Sequence, residues 1–326
     1  MFDDKTILIT GGTGSFGRNF VKYILRNGNP KKIIVFSRDE LKQHHMAREF
    51  THDCMRFFLG DVRDLPRLER ALQGVDIVVH AAALKQVPAL EYNPMEAVKT
   101  NVIGSQNVID AAIDQKVERV LLISTDKAAH PVNLYGSTKL CAEKLFVAGN
   151  SYSAARTKCS VVRYGNVIGS RGSIVEVLLH TQSNERVKIT ELEMTRFWIN
   201  YEQACNLVSF ALENMEGGEI FIPKIPSMKL VDLVETIAPH LEREVIGLRP
   251  GEKMHEVLLT AEESRHTIEL DNYYVILPEF SPWGTGLFAK YHEQGQPINK
   301  PFSYSSDTNP TQLTQEELRQ IVAGQN

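Results

Sequence analysis

The sequence predicts an α/β fold, a doubly wound parallel sheet with a smaller C-terminal lobe. Three observations predict it. Short aliphatic and β-branched runs alternate with helical stretches over roughly the first half of the chain. A glycine-marked turn stands between the first such run and the first helix. Polar and titratable residues gather where a later run ends, and in an open parallel sheet the carboxyl ends of strands carry the chemistry.

The first strand is Lys5 to Thr10. Gly11-Gly12-Thr13-Gly14-Ser15-Phe16-Gly17 follows, and a helix opens toward Leu25. Gly11, Gly14 and Gly17 fall as G-x-x-G-x-x-G between strand and helix. Each removes a Cβ where backbone turns tightly, approaches a pyrophosphate or lets helix pack on strand. The helix start offers free N–H groups to phosphates. This context predicts a Rossmann-like dinucleotide site that also takes in Thr13, Ser15 and Phe16.

The second strand, Lys32 to Phe36, ends at Ser37-Arg38, with Lys42 a little later. A hydroxyl, a guanidinium and an ammonium suit a ribose 2′-phosphate, which favours NADP over NAD. Asp39 is either a ribose acid or the cap of the next helix. The third strand, Met55 to Leu59, runs into Gly60-Asp61-Val62. Asp61 either accepts from the adenine amino group or caps a turn, and Val62 lies beside it. The fourth strand, Asp76 to His80, ends in Ala81-Ala82-Ala83, small enough for backbone to pass close to a cofactor, with Lys85 at the rim. A helix over about 94–112 carries Asn101, expected either to face solvent or to steady the active-site strand.

The fifth strand, Glu118 to Ile123, delivers Ser124-Thr125-Asp126-Lys127 at its end. A helix from Asn133 then places Tyr135 and Lys139 four residues apart, on one face. A tyrosine ordinarily loses its proton near pH ~10, and a neighbouring ammonium lowers that value. Such a pair removes a proton from a sugar hydroxyl near neutral pH. Asp126 and Lys127 add two titratable groups of different type, unless they form only a surface ion pair.

The sixth strand is Lys158 to Arg163, and beyond Tyr164 the rhythm loosens. The expected division is a dinucleotide-binding domain over 1–165 and a mainly substrate-binding lobe with an irregular tail over 166–326. A helix near 202–213 and a strand near 219–222 are expected to return to the main sheet. The tail after Phe280, with Pro282, Gly284, Gly286 and Pro297, reads as irregular, with a last helix over about 315–322.

Composition bounds the function. The 326 residues are 43% apolar and 23% charged, with a net charge of −4, which gives no sign of nucleic-acid binding. Cys54, Cys141, Cys159 and Cys205 match no metal spacing and read as free thiols of a reducing cytoplasm, so no metal is expected. The acidic start, Met1-Phe2-Asp3-Asp4, enters a strand at once and is not a signal peptide. No apolar run approaches the ~20 residues of a membrane span. A cytoplasmic homo-oligomer is expected, bound neither to membrane nor to nucleic acid.

The glycine loop, the strand-end threonine and Tyr-x-x-x-Lys together resemble the extended short-chain dehydrogenase/reductase superfamily, to about Phe280. Five stretches narrow the resemblance: Ser124-Thr125-Asp126-Lys127-Ala128-Ala129, Asn133-Leu134-Tyr135-Gly136, Arg163-Tyr164-Gly165-Asn166-Val167, Thr195-Arg196-Phe197 and Arg249-Pro250-Gly251-Glu252-Lys253. They look like the UDP-N-acetylglucosamine 4,6-dehydratases, in the soluble, C5-inverting branch of pseudaminic acid biosynthesis, which serves flagellin glycosylation. Retaining relatives typically have Met for the catalytic Tyr and carry membrane spans; this chain has Tyr135.

The resemblance implies the roles. Tyr135 takes the 4-OH proton, while Lys139 lowers the Tyr135 pKa and holds the nicotinamide ribose. Thr125 orients the 4-oxygen, Asp126 protonates the leaving hydroxyl and Lys127 removes the C5 proton. As a base Lys127 must be neutral, so its pKa is expected to fall. Arg249, then Arg196, are expected on the substrate diphosphate, and Lys85, Asn166 and Glu252 near sugar or phosphate. The rival readings are a C5-retaining dehydratase, a nucleotide-sugar 4-epimerase or simple reductase, and a non-catalytic nucleotide-binding scaffold.

Overall fold

The structure is a computed structural model, and it describes residues 1–153, 156–182, 186–279 and 285–324. The first half alternates β1 (Thr6–Thr10), α1 (Ser15–Asn27), β2 (Lys32–Ser37), α2 (Glu40–Glu49), β3 (Met55–Leu59), α3 (Leu65–Ala71) and β4 (Ile77–His80). Then come α4 (Val87–Tyr92), α5 (Pro94–Ala97), α6 (Gly104–Asp114), β5 (Arg119–Thr125), α7 (Leu134–Gly149) and β6 (Lys158–Tyr164). β1 is buried at every residue and β2 at all but its first, as expected of strands covered by helices on both faces. α1 turns Phe20, Val21 and Ile24 inward at helical spacing. Asp39 caps α2, its side chain accepting from the Lys42 N–H, which settles its structural role.

The second half holds β7 (Asn166–Val167), α8 (Ile174–His180), β8 (Arg186–Ile189), β9 (Thr195–Ile199), α9 (Tyr201–Asn214) and β10 (Ile220–Pro223). β11 (Ser227–Lys229), α10 (Leu230–Ile237), β12 (Glu242–Val245), β13 (Val257–Leu259), α11 (Ala261–Ser264), β14 (Thr267–Glu269) and β15 (Tyr273–Ile276) follow. The chain closes with α12 (Ala289–Gln294), β16 (Gln296–Pro297), β17 (Tyr304–Ser305) and α13 (Gln315–Ala323). Of the tail expected to be irregular, 280–284 lies outside the described residues.

The main sheet runs β16-β14-β15-β10-β6-β5-β4-β1-β2-β3. From β3 to β10 its neighbours are parallel, and the order reverses between β1 and β4, where ligands sit in such sheets. β10 pairs with β6, the expected return of the chain. β15, β14 and β16 extend that edge antiparallel, so the chain beyond 166 builds more of the main sheet than its loosened rhythm suggests. A second core gathers Val175, Ile189, Trp198, Leu233 and Leu318 among α8, β8, β9, α10 and α13, which gives the lobe its own apolar centre. Arg163 of β6 is fully buried and joins Glu143 of α7 at 2.6 Å to Glu263 of α11 at 2.8 Å.

One expected helix differs. The stretch over about 94–112 is broken, with a π-helical turn over Val98–Ile103 between α5 and α6. A π turn inserts a residue into the helical ladder and re-aims its side chains, often at functional sites. Asn101 sits on that turn, buried. It accepts from the Leu84 N–H at 2.8 Å and donates to the Leu84 carbonyl at 2.9 Å and to Thr138 at 3.0 Å. It therefore steadies the loop after β4, not the strand that carries Thr125, because the re-aimed side chain faces that loop.

Candidate active site

A cavity of about 890 Å³ lies across the carboxyl ends of β1, β2, β4, β5 and β6. Its walls include Gly11, Thr13, Gly14, Ser15, Phe16 and Gly17 of the first loop. Gly11 has φ +65°, and a Cβ there would stand 2.8 Å from the Ala82 backbone. Only glycine meets both demands, so the loop and the Ala81-Ala82-Ala83 segment approach closely enough to cradle a flat, phosphate-bearing ligand. The cradle is built from below. Thr10 Oγ1 bonds His80 Nδ1 at 2.7 Å and accepts from the Ala82 N–H at 3.2 Å, and His80 Nε2 meets Ser105 at 3.1 Å. Full burial pushes His80 down to about 3 and keeps it neutral. Sequence reasoning missed this network, since His80 reads there only as the polar end of a strand.

Ser37, Arg38, Lys42, Asp61 and Val62 also line the cavity. Ser37 is buried and accepts from Gln43 Nε2 at 3.0 Å. Lys42 pairs with Asp39 at 2.8 Å. Asp61 accepts from the Arg63 guanidinium at 2.7 and 2.9 Å and from its N–H at 3.0 Å, with Arg38 at 3.6 Å. Those contacts hold Asp61 below the usual carboxylate range against the opposing effect of burial.

The catalytic candidates meet where β5 ends. Thr125 donates to Asp126 Oδ1 at 2.8 Å, and Lys127 Nζ donates to the same oxygen at 3.0 Å. Thr125 and Tyr135 line the same cavity. Asn133 caps α7 by accepting from the Gly136 N–H at 2.9 Å. A Cβ on Gly136 would stand 2.3 Å from the Lys127 carbonyl, so this glycine lets the helix carrying Tyr135 press against the Asp126-Lys127 turn. The pair is no surface ion pair: the Asp126 side chain is 1% exposed and that of Lys127 26%.

Two expectations about charge are corrected. Lys139 does not ease Tyr135 toward phenolate in this structure. Burial pushes the Tyr135 hydroxyl up to about 12, with Lys127 as the opposing cation, while the Lys139 ammonium turns to the Ile123 carbonyl at 2.8 Å. Lys139 is itself pushed down to about 8 by burial, Glu143 partly offsetting this. Nor does Lys127 fall. Burial alone would lower it, but Asp126 and Glu256 outweigh that and hold it above the usual lysine range. Burial raises the Asp126 carboxyl, ahead of the lowering by Lys127. Glu256, whose Oε1 lies 3.2 Å from Lys127 Nζ, was not foreseen; its only sequence signal is a place three residues past the Arg249–Lys253 turn.

The substrate candidates separate. Lys85 and Asn166 line the cavity; Lys85 donates to the Arg171 carbonyl at 3.2 Å and Asn166 accepts from Lys127 at 3.5 Å. Arg196 is buried and turned inward. It donates to the carbonyls of Thr195, Met254 and Lys253 at 2.7, 3.1 and 2.9 Å. Glu252 accepts from the Arg249 N–H at 3.3 Å, and Arg249 is exposed. Neither Arg196, Arg249 nor Glu252 is among the lining residues. Arg171, not singled out before, is there; its N–H donates to Ser15 Oγ at 3.2 Å and draws the 169–173 loop over the glycine loop.

This arrangement can bind a dinucleotide along the sheet switch point and a second ligand beside Thr125 and Tyr135. The family profile described as polysaccharide biosynthesis protein matches residues 7–278. The chain belongs to that family. Within it, the chain is 50% identical to UDP-N-acetylglucosamine 4,6-dehydratase (inverting) of Campylobacter jejuni, over 99% of this chain and 98% of that one. It is 39% identical to UDP-glucose 4-epimerase of Rickettsia conorii, over 99% and 96%. The solved structure of Pen from Bacillus thuringiensis superposes with a TM-score of 0.90 at 39% identity, covering 100% of this chain and 99% of that one. Among the described residues no helix is long and apolar enough to cross a membrane.

Proposed function

We propose that the chain is an NADP-dependent UDP-N-acetylglucosamine 4,6-dehydratase that inverts C5. The observation that carries the reading is the buried Asp126–Lys127 pair beside Thr125 and Tyr135. A dehydrogenase or 4-epimerase needs the Thr-Tyr-Lys part and has no use for an added acid and base. The named relative at 50% identity supports the same reading.

NADP, when bound, supplies the hydride acceptor for C4 and the hydride donor for C6. The glycine loop and Ala81-Ala82-Ala83 cradle fit its pyrophosphate, Asp61 and Val62 fit the adenine end, and Ser37, Arg38 and Lys42 fit the 2′-phosphate. Lys139 holds the nicotinamide ribose. Thr125 fixes the 4-oxygen and Tyr135, as the phenolate that the positive charge of a bound nicotinamide would favour, takes the 4-OH proton, which makes a 4-keto sugar with an acidic C5–H. Lys127 removes that proton as Asp126 protonates the departing C6 oxygen, and water leaves. Lys85, Asn166 and Arg171 contact the sugar or diphosphate from the cavity wall. Residues 1–165 act as the nucleotide-binding domain, and 166–326 act mainly as the substrate lobe. The reading carries a cytoplasmic homo-oligomer in pseudaminic acid biosynthesis and flagellin glycosylation.

The test is product NMR from UDP-N-acetylglucosamine with catalytic NADP. A 6-deoxy-4-keto sugar of L-arabino configuration and no net NADPH is expected. A 4-epimer with its C6 hydroxyl intact would select the epimerase reading, which the 39%-identical relative favours. A D-xylo product would select the retaining dehydratase, and no turnover the scaffold.

A further inference from the structure

Glu256 reaches the site from outside the strand-end cluster, on the residue before β13. It is buried and rigidly seated: its N–H donates to Ser306 Oγ at 2.9 Å, and its carbonyl accepts from the Ser306 N–H at 2.9 Å. Its carboxylate lies among Lys127 Nζ at 3.2 Å, Lys253 Nζ at 3.2 Å and Arg196 Nε at 3.9 Å. Three side-chain oxygens therefore surround Lys127 Nζ: Asp126 Oδ1 at 3.0 Å, Glu256 Oε1 at 3.2 Å and Asn166 Oδ1 at 3.5 Å.

An ammonium has three N–H donors and no lone pair. With three acceptors around it, Lys127 is held as the ammonium and is not yet a base. A neutral amine has two N–H groups and one lone pair. We propose that Glu256 is a positioning residue for the elimination, acting through Lys127. Together with Asn166 it grips the two N–H groups of the amine, so that the lone pair emerges on the Asp126 side. This rests on the dehydratase reading.

The protons balance without an outside donor. The Asp126–Lys127 pair carries one shared proton. Its passage from Nζ to Asp126 Oδ1 along the 3.0 Å hydrogen bond turns carboxylate and ammonium into acid and amine. The amine then takes the C5 proton and the acid gives its own to the C6 oxygen. The C5–H and C6–O bonds break, C5=C6 forms from the C5–H electrons, and water departs. The pair is left as the carboxylate and ammonium it began as. Asp126 is fully buried behind Thr125 and Lys127, which line the cavity, and its Oδ2 has no hydrogen-bond partner among the described residues.

The charge of Glu256 opposes the first transfer, since it favours the ammonium. The other charged or titratable groups that face Lys127 are Asp126, Arg196, Lys85 and Tyr135; Lys253 faces Glu256. Glu256→Gln keeps the shape and an acceptor oxygen while removing the charge, whereas Glu256→Ala removes both.

The experiment follows deuterium entry at C5 of product against pH, beside single-turnover hydride transfer read as NADPH absorbance. In wild type, exchange falls at high pH as the Asp126–Lys127 pair loses its shared proton. In Glu256→Gln that fall moves to lower pH by about 1–3 units, as expected when an adjacent carboxylate is removed, and the plateau below it is kept. In Glu256→Ala the fall moves likewise and the plateau drops. NADPH formation in both variants reports that cofactor and sugar still seat. A fall that stays at the wild-type pH in Glu256→Gln overturns the proposal, as does equal loss of hydride transfer and exchange in both variants. Failure of wild type itself to make a 6-deoxy product brings down the dehydratase reading instead.

Discussion

The Asn133 side chain donates to the Gly251 carbonyl at 2.8 Å, across 118 residues of sequence. Its other end caps α7 through the Gly136 N–H at 2.9 Å. One amide thus ties the helix carrying Tyr135 and Lys139 to the turn that leads to Lys253 and Glu256. Asn133→Asp keeps the capping oxygen and loses the donor. Its melting temperature is expected to stay near wild type while KM for the UDP-sugar rises. Asn133→Ala loses the cap as well and is expected to cost about 1 kcal/mol of stability.

On the proposed mechanism, elimination and oxidation separate by residue. Lys127→Ala is expected to transfer hydride in a single turnover, hold a 4-keto sugar and lose C5 exchange with deuterated solvent. Tyr135→Phe is expected to slow the first hydride transfer itself, since it lacks the group proposed to take the 4-OH proton. Normal deuterium entry at C5 in the Lys127 variant would assign the base elsewhere.

Arg38 is half exposed on the cavity rim, with Asp61 at 3.6 Å. A 2′-phosphate is a stronger partner for a guanidinium at that distance. Arg38→Asp is expected to weaken NADP binding by about 1.5–3 kcal/mol, roughly tenfold or more in Kd, and to reverse the preference toward NAD. Titration calorimetry with both cofactors reads this directly, and an unchanged preference would reject the 2′-phosphate pocket.

Arg196 and Arg249 are expected to behave oppositely. The Arg196 guanidinium is buried on three carbonyls, with Glu252 at 3.7 Å and Glu256 at 3.9 Å. Arg196→Ala strands these groups and is expected to cost about 3–5 kcal/mol in denaturant unfolding. Arg249 is exposed, and Arg249→Ala is expected to change stability by no more than about 0.5 kcal/mol. If Arg249 swings onto the substrate diphosphate, its variant weakens UDP-sugar binding and spares NADP.

His80 makes stability depend on pH. Burial lowers its pKa from the ordinary 6.5 to about 3 in the folded chain. Below pH 6.5 the unfolded chain takes up a proton that the folded chain refuses, so the stability present above that pH is lost as pH falls toward about 3. His80→Gln does not titrate there. Between those limits its melting temperature is expected to fall less steeply than that of wild type, and parallel slopes would show that His80 is not the titrating group.

Local signals determined much of this protein. β1 to β6 stand within two residues of their sequence-read limits, because runs such as Ile33 to Phe36 are apolar on both faces and suit only a covered parallel sheet. The glycine loop and the four-residue spacing of Tyr135 and Lys139 were legible because turn sterics and helical period act over a few residues. Contacts between distant segments were not legible. The re-aiming of Asn101 toward Leu84 depends on a π turn that apolar spacing does not encode. Arg196 looked like a free cation until the 253–254 carbonyls folded over it. The charge state of Lys127 was read backwards because Glu256 arrives from a segment more than a hundred residues away. A lone buried lysine is driven neutral by desolvation, but one between two carboxylates is held charged, and only the packed chain decides which lysine it is.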